Sequence, residues 1–516
     1  AMRFARIRAL LLLPAALALV QPSTRHRRAQ PLYVGTSLDD FPAARCAPAV
    51  PLKVSGKLPQ WLAGAVVRNG PGRFTTAKQN CSHLFDGMAL LSRFEVDGAT
   101  NSVKWASRYL QSKAYEYARH ENNGLLYNEF GTAAGVGLAG RAVSLMRGVL
   151  KGGTTDNACV SVVPTADGRA VCLSEPTRAS YAIDPKTLDT LGAHSYKGSG
   201  LPGLLHTAHP IPYEDGFVNV ATALFPVPKY TVYTSDGNFQ HPKRVCDLAP
   251  SQAFPDVSWH HSFAVGGKYA IVIETPCVYN VAALVGVADA AHIAFDWRDN
   301  APTTLRVVDI EKGEEVSKRT LREPCFFFHA ANAFVEGTTL HVDVGYYDDA
   351  SMLNGLALDR MRAAPATDGA TPSRLTRLSI ELESDADVRT TKLDGPAAGD
   401  FCEFPVVDPR LAGRRHRFVY AVGLKRPGNV GNLLTRTNCD TGETIANGFG
   451  AVVVGEALVV PRPGVPDDYV VMVVVHDAAG DAHLVVASPA LEELARATLP
   501  EGGVPYGFHS CWIPEV

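Results

Sequence analysis

Short apolar or alternating runs recur along the chain from about residue 60, and polar turns separate them. Ala65–Asn69, Leu90–Val96 and Cys159–Val163 are examples of these runs. Asp97-Gly98 and Asp167-Gly168 lie beside such runs, and Asp-Gly supplies the positive-φ positions that tight hairpin turns require. The pattern therefore predicts an all-β protein in which hairpins join many short strands.

The length of the chain narrows the choice among all-β architectures. For 516 residues, a propeller fits best, because its blades repeat without sharing one very large core. No crisp sequence repeat of about 40 residues is visible, so the WD40 and kelch types are not indicated. We expect residues 1–30 to be a targeting segment and residues 31–516 to form a single β-propeller domain.

The first 30 residues differ in character from the remainder. Three arginines within residues 3–8 precede the apolar run Ala9–Val20, which is too short to cross a bilayer but suits a signal-peptide core. Residues 21–30 carry three more arginines and no acidic residue. We interpret this as a signal sequence followed by a transit-like leader, which predicts a plastid location. Secretion is the alternative, and an uncleaved membrane anchor or no targeting also stays open.

Helical signal is sparse outside this leader. The clearest run is residues 135–150, which is apolar except for Arg141, Ser144 and Arg147 on one side of a helix. Such a helix either packs on the core or dips into a membrane surface where an apolar substrate enters. Residues 351–371 are a second candidate helical insert. No stretch of the sequence reaches 18 uninterrupted apolar residues, so no transmembrane helix is predicted.

Composition and charge exclude several classes of protein. The chain is 46% hydrophobic and 20% charged, which is globular rather than disordered. Its net charge is −3, but the first 30 residues hold six of the 49 basic residues and none of the 52 acidic ones. The body is therefore acidic, and we expect no nucleic-acid partner. The 10 cysteines lack any C-x-x-C pair, so we expect mostly buried free thiols.

Histidine is the residue type that carries candidate chemistry, because the common nucleophile, phosphate-binding and zinc-helix motifs are missing. The notable contexts are His206-Thr-Ala-His209-Pro, Trp259-His260-His261-Ser-Phe, Phe326-Phe-Phe-His329 and Tyr506-Gly-Phe-His509. A buried imidazole needs a partner, which is either a backbone hydrogen bond or a metal ion. Positions separated by 52, 68 and 180 residues converge only if the chain circles a common axis, as it does in a propeller.

These contexts resemble the carotenoid cleavage oxygenase family, which includes carotenoid and stilbene dioxygenases and retinoid isomerohydrolases. The matching motifs span nearly the whole body: Arg68-Asn-Gly-Pro71, His83-Leu-Phe-Asp86-Gly87-Met88, Ala208-His209-Pro210, His261-Ser-Phe-Ala264, Phe328-His329 with Asn332, and Gly507-Phe508-His509. The resemblance implies a seven-bladed β-propeller with a helical cap over the iron-bearing face of its axis.

The resemblance also implies one non-haem Fe(II) per chain. Its four ligands would be His209, His261, His329 and His509, whereas His206 and His260 stand beside ligands without being ligands. Imidazole suits Fe(II), and four neutral rings leave the full charge on the metal. Three carboxylates at family positions would orient the rings through their other N–H groups, namely Glu175, Glu403 and Glu456.

The implied activity is cleavage of a C=C bond of a carotenoid or apocarotenoid with O₂ to give two carbonyl products. No separate acid–base residue is assigned. A stilbene-type dioxygenase or a non-oxidative retinoid or carotenoid isomerase would use the same fold, and a non-catalytic lipid- or protein-binding propeller is a further alternative. The expected partners are the polyene, O₂ and a membrane surface that meets residues 135–150. Ser174 replaces the usual Thr, and we expect the missing methyl group to alter an open coordination position.

Overall fold

The computed structural model describes residues 38–134, 155–280, 295–363 and 371–515, apart from positions 44–45, 47–48, 199, 202, 254 and 501–502. The predicted leader and residues 135–150 lie outside this part of the chain. The described residues form an all-β, seven-bladed propeller with few helices. The expected fold class is therefore confirmed.

Each blade is a twisted antiparallel sheet, and strands are numbered in chain order. Blade 1 contains β1 (Val50–Pro51), β3 (Ala63–Arg68), β4 (Pro71–Arg73), β5 (Met88–Asp97), β6 (Ser102–Tyr109) and β34 (Ser510–Pro514). Blade 2 contains β7 (Ser161–Pro164), β8 (Ala170–Leu173), β9 (Ser180–Ile183) and β10 (Thr190–Ala193). Blade 3 contains β11 (Leu205–His206), β12 (Ile211–Tyr213), β13 (Gly216–Ala223), β14 (Lys229–Asp236) and β15 (Lys243–Leu248).

The remaining four blades repeat the same hairpin order. Blade 4 contains β16 (Ala264–Gly266), β17 (Tyr269–Glu274), β20 (Thr304–Asp309) and β21 (Glu314–Thr320). Blade 5 contains β22 (Ala330–Glu336), β23 (Thr339–Tyr346), β24 (Arg374–Glu381) and β25 (Arg389–Lys392). Blade 6 contains β26 (Glu403–Val406), β27 (Phe418–Gly423), β28 (Leu433–Asn438) and β29 (Thr444–Asn447). Blade 7 contains β2 (Lys53–Gly56), β30 (Ala451–Pro461), β31 (Tyr469–Asp477), β32 (Ala482–Ala487) and β33 (Glu493–Thr498). A separate two-stranded sheet pairs β18 (Cys277–Tyr279) with β19 (Phe295–Trp297).

Two pairings between the beginning and the end of the chain close the ring. β34 pairs with β3 as the inner strand of blade 1, and β2 pairs with β33 at the edge of blade 7. Each of these blades thus combines strands from both ends of the sequence, so neither blade is complete without the other end. Inner strands of neighbouring blades contact each other around the axis, as β22 contacts β26 and β30 contacts β34.

The position of a strand in its blade explains why buried and accessible residues alternate along some strands and not along others. Every residue of β31 except Asp477 is buried, because both faces of this central strand pack against neighbouring sheets. β6 lies nearer the rim and alternates buried with accessible residues instead. All ten cysteines are free and eight are buried, which confirms the prediction of buried thiols.

Helices are short in the described part of the chain. The α-helices are α1 (Lys113–Ala118), α2 (Ser351–Gly355) and α3 (Leu358–Arg362), and 3-10 turns occupy Leu84–Asp86, Pro396–Ala398 and Pro409–Leu411. The expected helical cap is not confirmed, although α2 and α3 fall within the predicted insert at 351–371. None of the described helices is long and apolar enough to cross a membrane.

The motif from His83 to Gly87 anchors a loop above the propeller. The Asp86 carboxylate accepts hydrogen bonds from the backbone N–H of Gly131 at 2.7 Å and from the Thr132 hydroxyl at 2.6 Å. His83 contacts the carbonyl oxygen of Leu353 in α2 through Nε2 at 2.9 Å. Burial raises the pKa of Asp86 to about 6. These contacts fix the turn that carries Phe85 toward the axis.

Replacement of Asp86 by Asn tests the energetic effect of this buried carboxyl group. Its folded pKa of about 6 lies above the ordinary value of 3.8. The stability that the protonated group contributes is therefore present below about pH 4 and is lost as the pH rises through 6. We expect the unfolding free energy of the wild type relative to D86N to fall by about 3 kcal/mol between about pH 4 and pH 7. Urea unfolding at several pH values measures this difference, and a constant difference would contradict the assignment.

Candidate metal centre

Four histidines lie at one end of the propeller axis. His261, His329 and His509 stand immediately or shortly before the inner strands β16, β22 and β34, and His209 lies between β11 and β12. Inner strands run in the same direction along the axis, so residues that precede them meet at the same end. The fold thereby brings together four residues that are up to 300 positions apart in the sequence.

The four imidazoles surround a single point. Nε2 of His261 lies 3.1 Å from Nε2 of His209 and 3.2 Å from Nε2 of His329. One potential ligand atom from each ring, including His509, lies within 4.8 Å of all the others. Imidazole–metal bonds of about 2.1 Å place adjacent nitrogen ligands about 3 Å apart. The spacing therefore suits a single metal ion bound by four nitrogens.

Three carboxylates set the orientation of three of these rings. Nδ1 of His261 is 2.6 Å from Glu175. The corresponding distances are 2.7 Å from His329 to Glu403 and 2.7 Å from His509 to Glu456. An Nδ1–H group that donates to a carboxylate leaves the Nε2 lone pair directed at the centre. The histidines come from blades 1, 3, 4 and 5 and the glutamates from blades 2, 6 and 7, so every blade contributes one residue.

The protein backbone and one phenol hold the carboxylates in place. The Tyr347 hydroxyl donates to Glu403 at 2.8 Å, and the backbone N–H of Phe404 donates to the same group at 3.0 Å. Glu456 accepts the backbone N–H of Ser510 at 2.8 Å and lies where the pairing of β30 with β31 shifts register. This irregularity changes the direction of the Glu456 side chain in an otherwise regular inner strand.

Burial favours neutral imidazoles at this centre. It lowers the pKa of His209 and of His329 well below the ordinary value, and the neighbouring histidines lower both further. Burial also raises the pKa of Glu403 to about 8. Buried carboxylates are costly without a compensating cation. Neutral nitrogen donors surrounded by carboxylates are a donor set that fits a divalent cation.

The two neighbouring histidines do not join this group. His206 contacts the Tyr233 hydroxyl through Nδ1 at 3.2 Å. The His260 ring packs edge-on against Tyr230, with ring centroids 4.5 Å apart, and neither of its nitrogens has a partner among the described residues. Burial lowers the pKa of His206 to about 4 and that of His260 to about 3, so both rings are neutral.

An apolar cavity adjoins the histidines. Its walls include the side chains of Phe85, Val160, Phe328, Met352, Phe401 and Phe508. His261, His329 and His509 form part of the same wall. A long hydrocarbon fits these surroundings better than a polar ligand does, because little of the lining can form hydrogen bonds.

Ser174 precedes Glu175, and its hydroxyl is bonded to the backbone. Its hydroxyl donates to the carbonyl oxygen of Asn157 at 2.9 Å and accepts the backbone N–H of Cys159 at 3.1 Å. Ser174 therefore holds the turn before β7 and is not part of the cavity wall. Val160, which follows this turn, does line the cavity. No sequence motif indicates Val160, since its position depends on the path of the turn.

A second cluster with metal-binding residue types is structural. Asp343, His416 and Cys439 lie close together and are buried. The Arg377 guanidinium binds both oxygens of Asp343, at 2.7 and 2.8 Å, and neutralises its charge. Burial raises the pKa of Cys439 to about 12, which keeps the thiol protonated. Asn332, which belongs to a recognised motif, donates to Nδ1 of His416 at 3.1 Å and thus ties blade 5 to blade 6.

Comparison with known proteins agrees with this architecture. The chain matches the family model described as "Retinal pigment epithelial membrane protein" over residues 41–514. It is 33% identical over 474 residues to carotenoid cleavage dioxygenase 8 homolog A, chloroplastic, of Oryza sativa subsp. japonica, which covers 90% of this chain and 85% of that protein. Carotenoid cleavage dioxygenase 8, chloroplastic, of Arabidopsis thaliana is 30% identical over 488 residues, covering 90% and 83% of the two chains.

The structural comparison supports the fold. A cobalt-substituted apocarotenoid oxygenase of Synechocystis superposes with a TM-score of 0.77 at 22% identity, covering 93% of this chain and 98% of that one. That likeness supports the propeller fold, and the family match and the relatives support the assignment. The chain therefore belongs to the carotenoid cleavage oxygenase family of non-haem iron dioxygenases, and it is an oxygenase.

Proposed function

We propose that the protein is a non-haem Fe(II) dioxygenase that cleaves a C=C bond of a carotenoid or apocarotenoid with O₂, giving two carbonyl products. The observation that carries this proposal is the placement of four imidazoles around one point, three of which line an apolar cavity. The named activities of the rice and Arabidopsis relatives support the same reaction class.

One Fe(II) per chain would be held by His209, His261, His329 and His509. The ion would supply the site at which O₂ is activated, a role that side chains alone cannot perform. Glu175, Glu403 and Glu456 would strengthen three of the ligands by accepting their Nδ1–H groups and would balance the charge of the ion. The four histidines fit this ion because their ring nitrogens lie close together, with Nε2 atoms 3.1 and 3.2 Å apart where adjacent rings meet.

The other residues bind and orient the substrate. The aromatic and aliphatic wall of the cavity packs against the polyene and excludes water from the reacting bond. None of the carboxylates around the histidines is free to act as an acid or base on the substrate, because each accepts an imidazole N–H. Catalysis would therefore depend on positioning and on the metal rather than on proton transfer.

The protein would act at a plastid membrane surface. The names of both plant relatives specify a chloroplastic protein, and residues 1–30 have the character of a transit leader. Three exposed apolar residues lie together in blade 3: Leu204 at 71%, Phe225 at 56% and Val227 at 71% exposure. Leu204 precedes an inner strand, as the histidines do, so this patch lies on the same face as the metal centre. The apolar segment 135–150, which the sequence predicts to meet a membrane, lies outside the described residues.

Vesicle flotation tests the membrane proposal. We expect the L204S/F225S/V227S variant to bind vesicles of phosphatidylcholine and phosphatidylglycerol roughly tenfold more weakly than the wild type, because each exposed side chain would bury apolar area in the lipid. L191S is the matched control, since Leu191 is 53% exposed on the outer strand of blade 2. Equal loss in both variants, or loss in neither, would contradict a docking role for the patch.

The function itself is tested by metal content and products. We expect anaerobically purified wild type to hold one iron per chain and to yield paired aldehyde or ketone fragments from a polyene and O₂, identified by mass spectrometry. H261A should lose the iron and the activity, whereas H260A, one residue away, should keep both because its ring faces Tyr230. Full iron content in H261A would refute the ligand assignment.

The products also separate the competing activities. An isomerised alcohol without fragments would identify a non-oxidative isomerase, and cleavage of a phenolic stilbene in preference to a polyene would identify a stilbene-type dioxygenase. Wild type that binds no iron after reconstitution would leave a non-catalytic binding propeller as the function.

The role of the carboxylates is tested at Glu403. This side chain accepts hydrogen bonds from His329, Tyr347 and the backbone of Phe404. We expect E403Q to fold normally but to weaken iron binding or turnover by about 10- to 100-fold, as loss of a ligand-orienting carboxylate usually does. Isothermal titration with Fe(II) under anaerobic conditions measures the affinity, and wild-type values would exclude this role.

A further inference from the structure

Tyr506 places a phenol in the wall of the apolar cavity. Its side chain is 93% buried, since only 7% of the residue surface is exposed, and it lines the cavity together with His329 and His509. Its hydroxyl has no hydrogen-bond partner among the described residues. The buried phenols of Tyr109 and Tyr347 differ, because they donate to backbone or carboxylate oxygens at 2.6 to 2.8 Å.

The other polar groups in this wall are already committed. The Nδ1–H groups of His261, His329 and His509 donate to carboxylates. The side-chain NH₂ of Asn429 donates to the carbonyl oxygens of Met361 at 3.1 Å and Ala363 at 3.0 Å, at the end of α3. Among the described residues of the cavity wall, the Tyr506 hydroxyl is thus the side-chain hydrogen-bond donor that has no protein acceptor and can bind a ligand.

The surroundings keep this phenol in its donor form. Burial raises the pKa of Tyr506 well above its usual range, and Glu403 and Glu456 act in the same direction. The opposing effect of the buried Arg68 is smaller than that of burial. The Arg68 guanidinium donates a hydrogen bond to the carbonyl oxygen of Gly507, the residue after Tyr506, at 3.2 Å. Tyr506 therefore keeps its proton at neutral pH, and the hydrogen bond from Arg68 to Gly507 fixes the backbone next to it.

We propose that the Tyr506 hydroxyl donates a hydrogen bond to a carbonyl oxygen of the substrate, so that the protein prefers an apocarotenoid aldehyde or ketone to a hydrocarbon carotene. This inference rests on the proposed function and deepens it by assigning a specificity-determining residue. A carbonyl oxygen accepts a hydrogen bond without needing an acceptor in return, which matches a site with one free donor. A hydrocarbon would leave the buried hydroxyl unpaired, and a site built this way discriminates against such a ligand.

Ligand binding without turnover tests this proposal. The full-length protein is titrated anaerobically with a β-apocarotenal and, separately, with β-carotene in the same detergent, for the wild type and Y506F. We expect Y506F to bind the aldehyde about tenfold more weakly, since a lost hydrogen bond of about 1.4 kcal/mol corresponds to that factor. Its affinity for β-carotene should change less than twofold.

A spectroscopic reading distinguishes a direct contact from a change in packing. The C=O stretching band of the bound aldehyde should lie at lower frequency in the wild type than in apolar solvent and should return toward the solvent value in Y506F. Y420F is the control for removal of a buried hydroxyl, because Tyr420 contacts Tyr469 and Pro489 away from the cavity. It should leave both the affinity and the band unchanged.

Three outcomes would overturn the proposal. They are equal weakening of both ligands by Y506F, a carbonyl band that does not respond to the substitution, and wild type that binds the aldehyde no more tightly than the hydrocarbon. Cleavage in the presence of O₂ is measured on the same preparations. Loss of cleavage with the binding and spectral differences intact would refute the proposed oxygenase reaction while supporting the contact of Tyr506 with the carbonyl group.

Discussion

The convergence of four imidazoles on one point is the constraint on which the rest of this structure depends. Nitrogen lone pairs about 3 Å apart repel each other unless a cation lies between them, and buried carboxylates behind the rings are costly for the same reason. The imidazoles and the carboxylates can be buried together only because a cation between the rings would offset the cost of both. This explains why all seven blades contribute one histidine or glutamate to the centre, and why two of the glutamates accept further hydrogen bonds from backbone N–H groups.

Closure of the ring gives this centre its rigidity. His509 immediately precedes β34, which is held in blade 1 by pairing with β3 from the opposite end of the chain. The carboxylate that orients His509 lies in blade 7, whose outer edge is closed by β2. Loss of either terminal pairing would therefore disturb a ligand and its supporting group together. A site built on inner strands of a closed ring is held more precisely than one carried by loops.

The cavity separates two tasks between different kinds of residue. Aromatic and aliphatic side chains supply the space for an apolar ligand, and the few polar groups at its wall are almost all engaged with each other or with backbone. In the proposed reaction a bound metal ion would be the reactive group, and any uncommitted polar atom would have a large influence on which ligand binds. The motif around Phe85 shows the same division. Asp86 fixes the turn through its hydrogen bonds, and Phe85 contributes its ring to the cavity wall.

The sequence by itself determined the all-β class, the membership of the family and the four histidines that could meet at one centre, because strand periodicity, turn residues and short motifs are local properties. The helical cap that the resemblance implied is not confirmed by the described part of the chain, in which the helices are short. Only the tertiary structure decided that Glu175 pairs with His261 across 86 residues and that Ser174 holds a turn while Val160 lines the cavity. It also decided that the Tyr506 hydroxyl has no hydrogen-bond partner among the residues that the structure describes. These relations depend on the closed ring, which sets distances between residues that the chain itself leaves far apart.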